Sequence, residues 1–131
     1  MAAVEFALVS LMMMTWIFGI METARAFWTY QIIQEVAIQG ARCMGILSSG
    51  CTAGGTFDAG TAQKYMVGLA ANLGLTLPAT DIEATRPTTC ANTAGFSSVV
   101  ITYNFTTNLP MLIPALKSIN LNASSCFFNV Q

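Results

Sequence analysis

Residues 1–21 read MAAVEFALVSLMMMTWIFGIM and contain one charged side chain, Glu5, with none from residue 6 to residue 21. As an α-helix this stretch would be about 31 Å long, because each residue adds about 1.5 Å along the axis. The hydrocarbon core of a bilayer is about 30 Å thick. The stretch therefore predicts a helix that can span a membrane. It lacks the basic start and the small-residue cleavage site of a secretory signal.

Glu5 is the acid within this apolar stretch. A carboxylate in lipid costs about 2.5–3.5 kcal/mol even on the lenient insertion scale, so such a residue is usually kept for a partner. A second interpretation is that Glu5 stabilises the first helical turn through the helix dipole, which contributes about 0.3–1 kcal/mol. Both interpretations can hold at once.

The composition predicts one domain whose surface meets other molecules. Hydrophobic residues make up 54% of the 131 residues and charged residues only 8%, whereas about a quarter of the residues in a soluble domain are charged. Much of the apolar surface should therefore contact lipid or other subunits. The five basic residues are scattered and the net charge is −1, so no nucleic-acid partner is predicted.

No catalytic, metal or cofactor site is predicted. The chain has no histidine, which removes the commonest general base and metal ligand. Met12, Met13 and Met14 point in different directions on a helix, so they predict flexible apolar packing and not a thioether metal site. The acids outside the first helix accompany no nucleophile motif.

The first helix should continue past residue 21, from about residue 2 to residue 47, because no break signal follows and an amphipathic pattern begins. Its predicted inner stripe repeats at steps of three and four residues: Phe27, Tyr30, Ile33, Val36, Ala37, Ala41, Met44 and Leu47. Glu22 and Arg25 are three residues apart and can pair. That pair is open to two interpretations, a register contact between subunits or a solvated surface pair.

The rest of the chain predicts a small α+β head. Gly50 is expected to end the long helix, and Asp58 or Thr61 to cap a second helix that ends at Gly74. The inner face of that helix is predicted to be Tyr65, Leu69 and Leu73. Residues 81–85, 97–107 and 119–128 alternate as strands, with loops at 90–95 and 108–117. The predicted fold is a long helix, a short helix and a three-stranded antiparallel sheet packed on the second half of the long helix.

Four cysteines, an even number, are typical of an exported, disulfide-bonded domain. They allow three pairings. Cys43 and Cys51 are close along the chain at the end of the long helix, which favours that pair. The pair Cys90–Cys126 then follows by elimination. Because strands on either side of a central strand are about 9.6 Å apart, this bond would require Cys90 to lie in a loop beyond the central strand.

The start of the chain resembles the TadE-like pilins of tight-adherence pilus systems. The likeness lies in MAAVEFALV with Glu at the fifth position, and in GIME, RAFW and GAR at residues 19–22, 25–28 and 40–42. It is strongest over residues 1–47 and recognisable again where a Tyr-x-Phe strand, residues 103–105, leads into Leu-Pro-rich sequence. The resemblance implies a type IV-like pilin whose mature first residue is Met1.

The resemblance implies a structural pilin subunit and no enzyme. Residues 1–21 would span the inner membrane before assembly and form the filament core afterwards, while residues 22–131 would form the rest of the helix and the head. The subunit would be a prepilin-peptidase substrate, would contact the pilus assembly machinery, and would polymerise with identical copies into an extracellular filament for surface attachment. Glu5 would dock onto the amino group of Met1 of a neighbouring subunit. The predicted core residues are Phe6, Leu8, Val9, Leu11, Met12, Met13, Trp16, Ile17 and Ile20.

Two other functions fit the same sequence. One is a minor pseudopilin that primes pilus assembly. The other is a single-pass membrane protein that stays in place and presents its outer domain for binding. Filaments in a shear fraction would distinguish a polymerising subunit from an anchored monomer.

Overall fold

A computed structural model describes residues 2–107 and 117–130. It contains one long helix, one short helix, a minimal hairpin and a three-stranded antiparallel sheet, which confirms the predicted fold class. In chain order the elements are α1 (Ala2–Gly45), β1 (Thr52–Ala53), β2 (Thr56–Phe57), α2 (Ala59–Asn72), a 3-10 turn (Ala79–Asp81), β3 (Ile82–Cys90), β4 (Thr93–Thr106) and β5 (Ser118–Phe128). Residues 108–116, predicted to belong to a loop, lie outside the described residues.

Helix α1 has 44 residues, so its axis is about 66 Å long. It ends at Gly45, two residues before the predicted end. Leu47 adopts a left-handed conformation with φ of 51°, and the Ser48 amide donates to the Cys43 carbonyl at 3.1 Å. This arrangement is a Schellman motif, which stops a helix by satisfying its last carbonyls. The expectation that Gly50 ends the long helix is therefore wrong, because Leu47 provides the left-handed residue that stops it.

The sheet has the order β3-β4-β5, so β4 is the central strand. Val99 of β4 pairs with Ala84 on one side and with Ser125 on the other. The inward-facing residues of β4 alternate along the strand, as the sequence pattern predicts, and Val99 and Ile101 are fully buried. The sheet packs on the second half of α1, mainly through β4 and β5.

Helix α2 begins where the sequence predicts. The Asp58 carboxylate accepts hydrogen bonds from the Thr61 amide at 2.7 Å and from the Thr61 hydroxyl at 2.6 Å, and this N-cap satisfies donors that the first turn leaves unpaired. The predicted inner face is correct at Leu69, which is partly buried against the core, and wrong at its other two residues. Tyr65 and Leu73 are exposed, whereas the buried residues are Ala62, Met66 and Ala70.

The inner face of α2 consists of small and flexible residues because α1 and α2 approach closely at Gly40. A Cβ atom at Gly40 would overlap Met66 Sδ, so only glycine fits beneath that side chain. Tyr65 has a different neighbour, since its ring covers Gly50, where a Cβ would lie 2.8 Å from a ring carbon. The close approaches at Gly40 and Gly50 therefore fix the positions of Met66 and Tyr65 on α2.

The predicted loop at residues 90–95 is much shorter in the structure. Strand β3 runs to Cys90, β4 starts at Thr93, and only Ala91 and Asn92 connect them. Both connecting residues have positive φ, 49° and 65°, as a two-residue hairpin turn with the twist of the strands requires.

Candidate membrane and assembly surface

The first half of α1 extends away from the head. We call residues 4–21 the apolar segment. Almost every side chain in it is exposed, and by length and composition the helix is able to cross a membrane. All of the predicted filament-core residues lie here with 45% to 75% of their surface exposed: Phe6, Leu8, Val9, Leu11, Met12, Met13, Trp16, Ile17 and Ile20.

An apolar surface of this extent is expected to contact lipid or other protein molecules. Soluble monomers rarely expose contiguous apolar patches larger than a few hundred Å², and here the exposed side chains surround the helix on all sides. The exposure does not end at residue 21, because Phe27 is 65% exposed and Trp28 is 70% exposed. The expected placement of Phe27 and Tyr30 on the inner stripe is therefore wrong, since Tyr30 is also exposed.

Glu5 lies in the first turn of α1 and is exposed with the rest of the apolar segment. Within residues 2–107 and 117–130 its carboxylate has neither a salt bridge nor a hydrogen bond. Met1, its predicted docking partner on another subunit, lies outside the described residues. The described structure thus leaves a carboxylate on an otherwise apolar surface, where an unpaired charge is expensive once water is removed.

Glu22 and Arg25 mark the boundary between the apolar segment and the head. Their side chains form a salt bridge of 3.1 Å, with the Glu22 side chain 6% exposed and the Arg25 side chain 45% exposed. Arg25 Nη2 also donates to the Thr106 carbonyl at 3.3 Å, and the guanidinium lies 5.1 Å from the centre of the Phe105 ring. Such a distance allows a cation–π contact. The pair therefore joins α1 to the end of β4 within one chain, and a role in subunit register stays a proposal.

Residues 1–42 match the model of the TadE-like protein family. The match confirms the resemblance predicted from the sequence and covers α1 from the apolar segment to Arg42. A search of curated proteins and a search of solved structures find no match. The TadE-like part of the chain is thus the part that carries the exposed apolar surface, Glu5 and the Glu22–Arg25 pair.

Two disulfides lie beyond the TadE-like match. The structure joins Cys43 to Cys51 with a Cα–Cα distance of 5.9 Å, and Cys90 to Cys126 with a Cα–Cα distance of 6.5 Å. This is the pairing expected from the sequence. The first bond holds the end of α1 to the segment that follows it.

The second bond starts from a strand, whereas the sequence predicts a loop position for Cys90. Cys90 lies at the end of β3 and not in a loop, paired with Thr93. The register of β3 against β4 shifts between Thr85 and Thr89, and a bulged strand bends and twists more strongly. The hairpin end of β3 thereby comes close enough to β5 to bond across the central strand.

In the part of the chain that the structure describes, no group of side chains resembles a catalytic or metal-binding site. In residues 2–107 and 117–130 no three or more Cys, Asp or Glu side chains are grouped so that they could hold a metal ion. The hydrogen bond from the Thr61 hydroxyl, with a second one from the Thr61 amide, holds the pKa of Asp58 below its ordinary value of 3.8. Because this carboxylate caps α2, its lowered pKa reflects a structural role.

Proposed function

We propose that this protein is a structural subunit that polymerises through its apolar segment into a type IV pilus filament of the tight-adherence kind, which serves surface attachment. The observation that carries the proposal is the exposed and predominantly apolar first half of α1, which continues without a break into the half that packs against the head. The TadE-like match over residues 1–42 supports it, because it covers this helix. We propose no enzymatic activity.

In this proposal the apolar segment has two environments. Before assembly residues 1–21 lie in the inner membrane, where a prepilin peptidase acts on the subunit. The assembly machinery then extracts the subunit, and the segment packs among the same segments of other copies. Lipid tails and apolar side chains are similarly apolar, so the transfer changes the hydrophobic free energy little and depends on packing.

Glu5 gives the assembly its polar contact. An amino group on the Met1 residue of an adjacent subunit supplies the charge that the apolar surroundings of Glu5 lack. In a helical array each subunit can give one such group and receive another. A desolvated pair of this kind costs several kcal/mol to break from one side, more than an exposed pair. It also sets the axial register, since a slip by one step leaves both charges unpaired.

A second function is a membrane-anchored domain that never polymerises, and a minor pseudopilin lies between the two. The exposed apolar segment suits all three. Phe27 and Trp28 are exposed aromatic side chains just beyond a single membrane-spanning length. They suit the membrane interface of an anchored protein as well as contacts between subunits in a filament.

Electron microscopy of shear fractions tests this proposal. Cells that produce the wild-type chain should release filaments labelled by an antibody against the head. The variant Leu11→Lys, which places a charge where the segment is 71% exposed, should release none while its head still folds. Asn72→Lys, which adds the same charge at an exposed position of α2, serves as the control and should release filaments. Normal filaments from Leu11→Lys, or none from the wild type, would contradict the proposal.

A further inference from the structure

A cleft of about 680 Å³ lies at the end of the head opposite to the apolar segment. Val130, one of its lining residues, donates its amide to the carbonyl of Gly45, the last residue of α1, at 3.1 Å. Gly45 lies about 36 Å beyond Met21 along the helix axis. The cleft is therefore far from any membrane or filament core that the apolar segment enters.

The walls of this distal cleft are largely apolar. Phe57, Pro87, Phe128 and Val130 line it. Phe128 is 59% exposed, yet its ring is held by an edge-on contact with Phe96, with 5.5 Å between ring centres. Ligand clefts of about 300–1,000 Å³ are usually apolar with a few polar groups that fix orientation. The size and walls suit a compact organic molecule.

Arg86 supplies the positive charge of the cleft, and a β-bulge places it there. Thr85 pairs with Ser98 and Thr88 pairs with Phe96, so Arg86 and Pro87 together stand opposite the single residue Ser97. A bulge of two residues against one leaves the extra residue outside the ladder and redirects a side chain. Here it directs Arg86 and Pro87 to the lining of the cleft.

The Arg86 guanidinium has unused donor capacity. Its Nε atom is buried and has no hydrogen-bond partner, and in the described part of the chain no carboxylate forms a salt bridge with it. A buried donor of a charged group that is left unpaired is costly. The planar fork of a guanidinium matches the two oxygens of a carboxylate. A carboxylate in the cleft would pair with the part of the guanidinium that faces the cleft and would supply the missing counter-charge.

We propose that the distal cleft binds an organic monocarboxylate, with the carboxylate on Arg86 and a compact ring or hydrocarbon body against Phe57 and Phe128. One guanidinium neutralises one negative charge, so a monoanion suits an apolar cleft better than a dianionic phosphate, whose second charge would be buried unpaired. This binding site is separate from the proposed assembly surface, and it adds a recognition function to the head.

Nitrogen-15 NMR of the full chain in detergent micelles tests the proposal, because an arginine Nε–H gives its own signal. The Arg86 signal is assigned by its absence from Arg86→Gln. Benzoate and galacturonate are the test compounds, and benzamide and galactose are their neutral counterparts. We expect at least one carboxylate to shift the Arg86 Nε–H signal saturably, and its neutral counterpart to leave the signal in place.

Variants distinguish the contribution of the guanidinium from that of the apolar walls. Because Arg86→Lys and Arg86→Gln lack the Arg86 Nε–H, their binding is measured from the backbone amide signals of Gly95 and Asn129, which line the cleft. Arg86→Lys keeps the charge but loses the fork, and binding should weaken about tenfold or more, as the loss of a charge-assisted hydrogen bond does. Phe128→Ala, at an exposed position, should also weaken binding. Arg42→Gln, at an exposed arginine of α1, is the control and should bind as the wild type does. Wild-type spectra in which neither carboxylate shifts the Arg86 signal, or equal binding by Arg86→Gln, would overturn the proposal.

Discussion

The two halves of α1 have the same backbone and similar apolar side chains, but they meet different surroundings. In the first half Leu11 is 71% exposed, whereas in the second half Ile33 is fully buried under the sheet. The second half is covered by β4, β5 and α2 of its own chain. The first half has no such cover within the described residues. One helix thus has a half that its own chain covers on folding and a half that is left for other molecules to cover.

This difference in burial predicts that truncating a side chain to alanine destabilises the head when the residue is buried in it, and has no such effect in the apolar segment. Ile101→Ala removes a fully buried side chain of the central strand, and it should lower the free energy of unfolding of the head by about 2–5 kcal/mol. Leu11→Ala in the apolar segment should leave that free energy unchanged. Denaturant unfolding of the full chain in mild detergent, followed by near-UV circular dichroism, measures both. An equal loss for Leu11→Ala would show that the apolar segment packs on the head.

The head should also depend unequally on its two disulfides. The cysteines are 36 residues apart in Cys90–Cys126 and 8 apart in Cys43–Cys51, and a longer closed loop restricts the unfolded chain more. On the chain-entropy model, replacing both cysteines by alanine should cost about 4 kcal/mol for the first pair and about 2.5 kcal/mol for the second. The same unfolding experiment ranks them. The reverse order would indicate that the end of α1 contributes more to the head than its sheet does.

Two glycine substitutions test how closely α1 and α2 pack against each other. Gly40→Ala places a Cβ onto Met66, which is fully buried, so overpacking should lower the free energy of unfolding by about 1–3 kcal/mol. Gly68→Ala on α2 meets nothing within 4 Å and should raise it by about 0.5–1 kcal/mol. Thermal unfolding of the two variants compares the signs. A stabilising Gly40→Ala would mean that α1 and α2 do not approach closely there.

The smallest effect concerns the cap of α2. Because the folded pKa of Asp58 lies below its ordinary 3.8, its charge stabilises the fold at pH values above the unfolded pKa. This contribution is lost as the pH falls through the folded pKa. Asp58→Asn keeps a capping side chain and removes the charge. The melting temperatures of the two proteins should differ near neutral pH and converge below pH 3.8; a constant difference would contradict the charge effect.

The sequence predicts the layout of the fold because its strongest signals are local. The apolar run of residues 1–21, the alternation around Val99 and the Asp58 cap each depend on neighbours along the chain. Residues that were misplaced depend on neighbours across the fold. Tyr65 looked like a core residue of α2, but its ring covers Gly50, and Met66 takes the inner position because Gly40 leaves room for it.

The inner stripe of α1 shows the same limit. Glu22 and Thr29 are both buried. Thr29 lies seven residues after Glu22 and four before Ile33, so the buried stripe contains polar residues at its start. A stripe of apolar residues alone predicts Phe27 and Tyr30 in their place. The carboxylate of Glu22 fits there because it forms a salt bridge with Arg25. Arg25 is in turn held by its contacts with Thr106 and Phe105. Likewise, no sequence pattern predicts the β-bulge that brings Arg86 to the lining of the distal cleft.

The measurement that tests the central claim most directly is the filament yield of Glu5→Gln. The claim is that the uncovered half of α1 is completed by other copies of the chain, with Glu5 as the charge that needs a neighbour. Glu5→Gln keeps the shape of the side chain and removes its charge. The account predicts normal subunit levels in the membrane but few filaments in the shear fraction, as for Glu5→Ala. Filaments formed by Glu5→Gln at the native rate and yield would contradict it, and Glu5 would then be only a helix-capping acid.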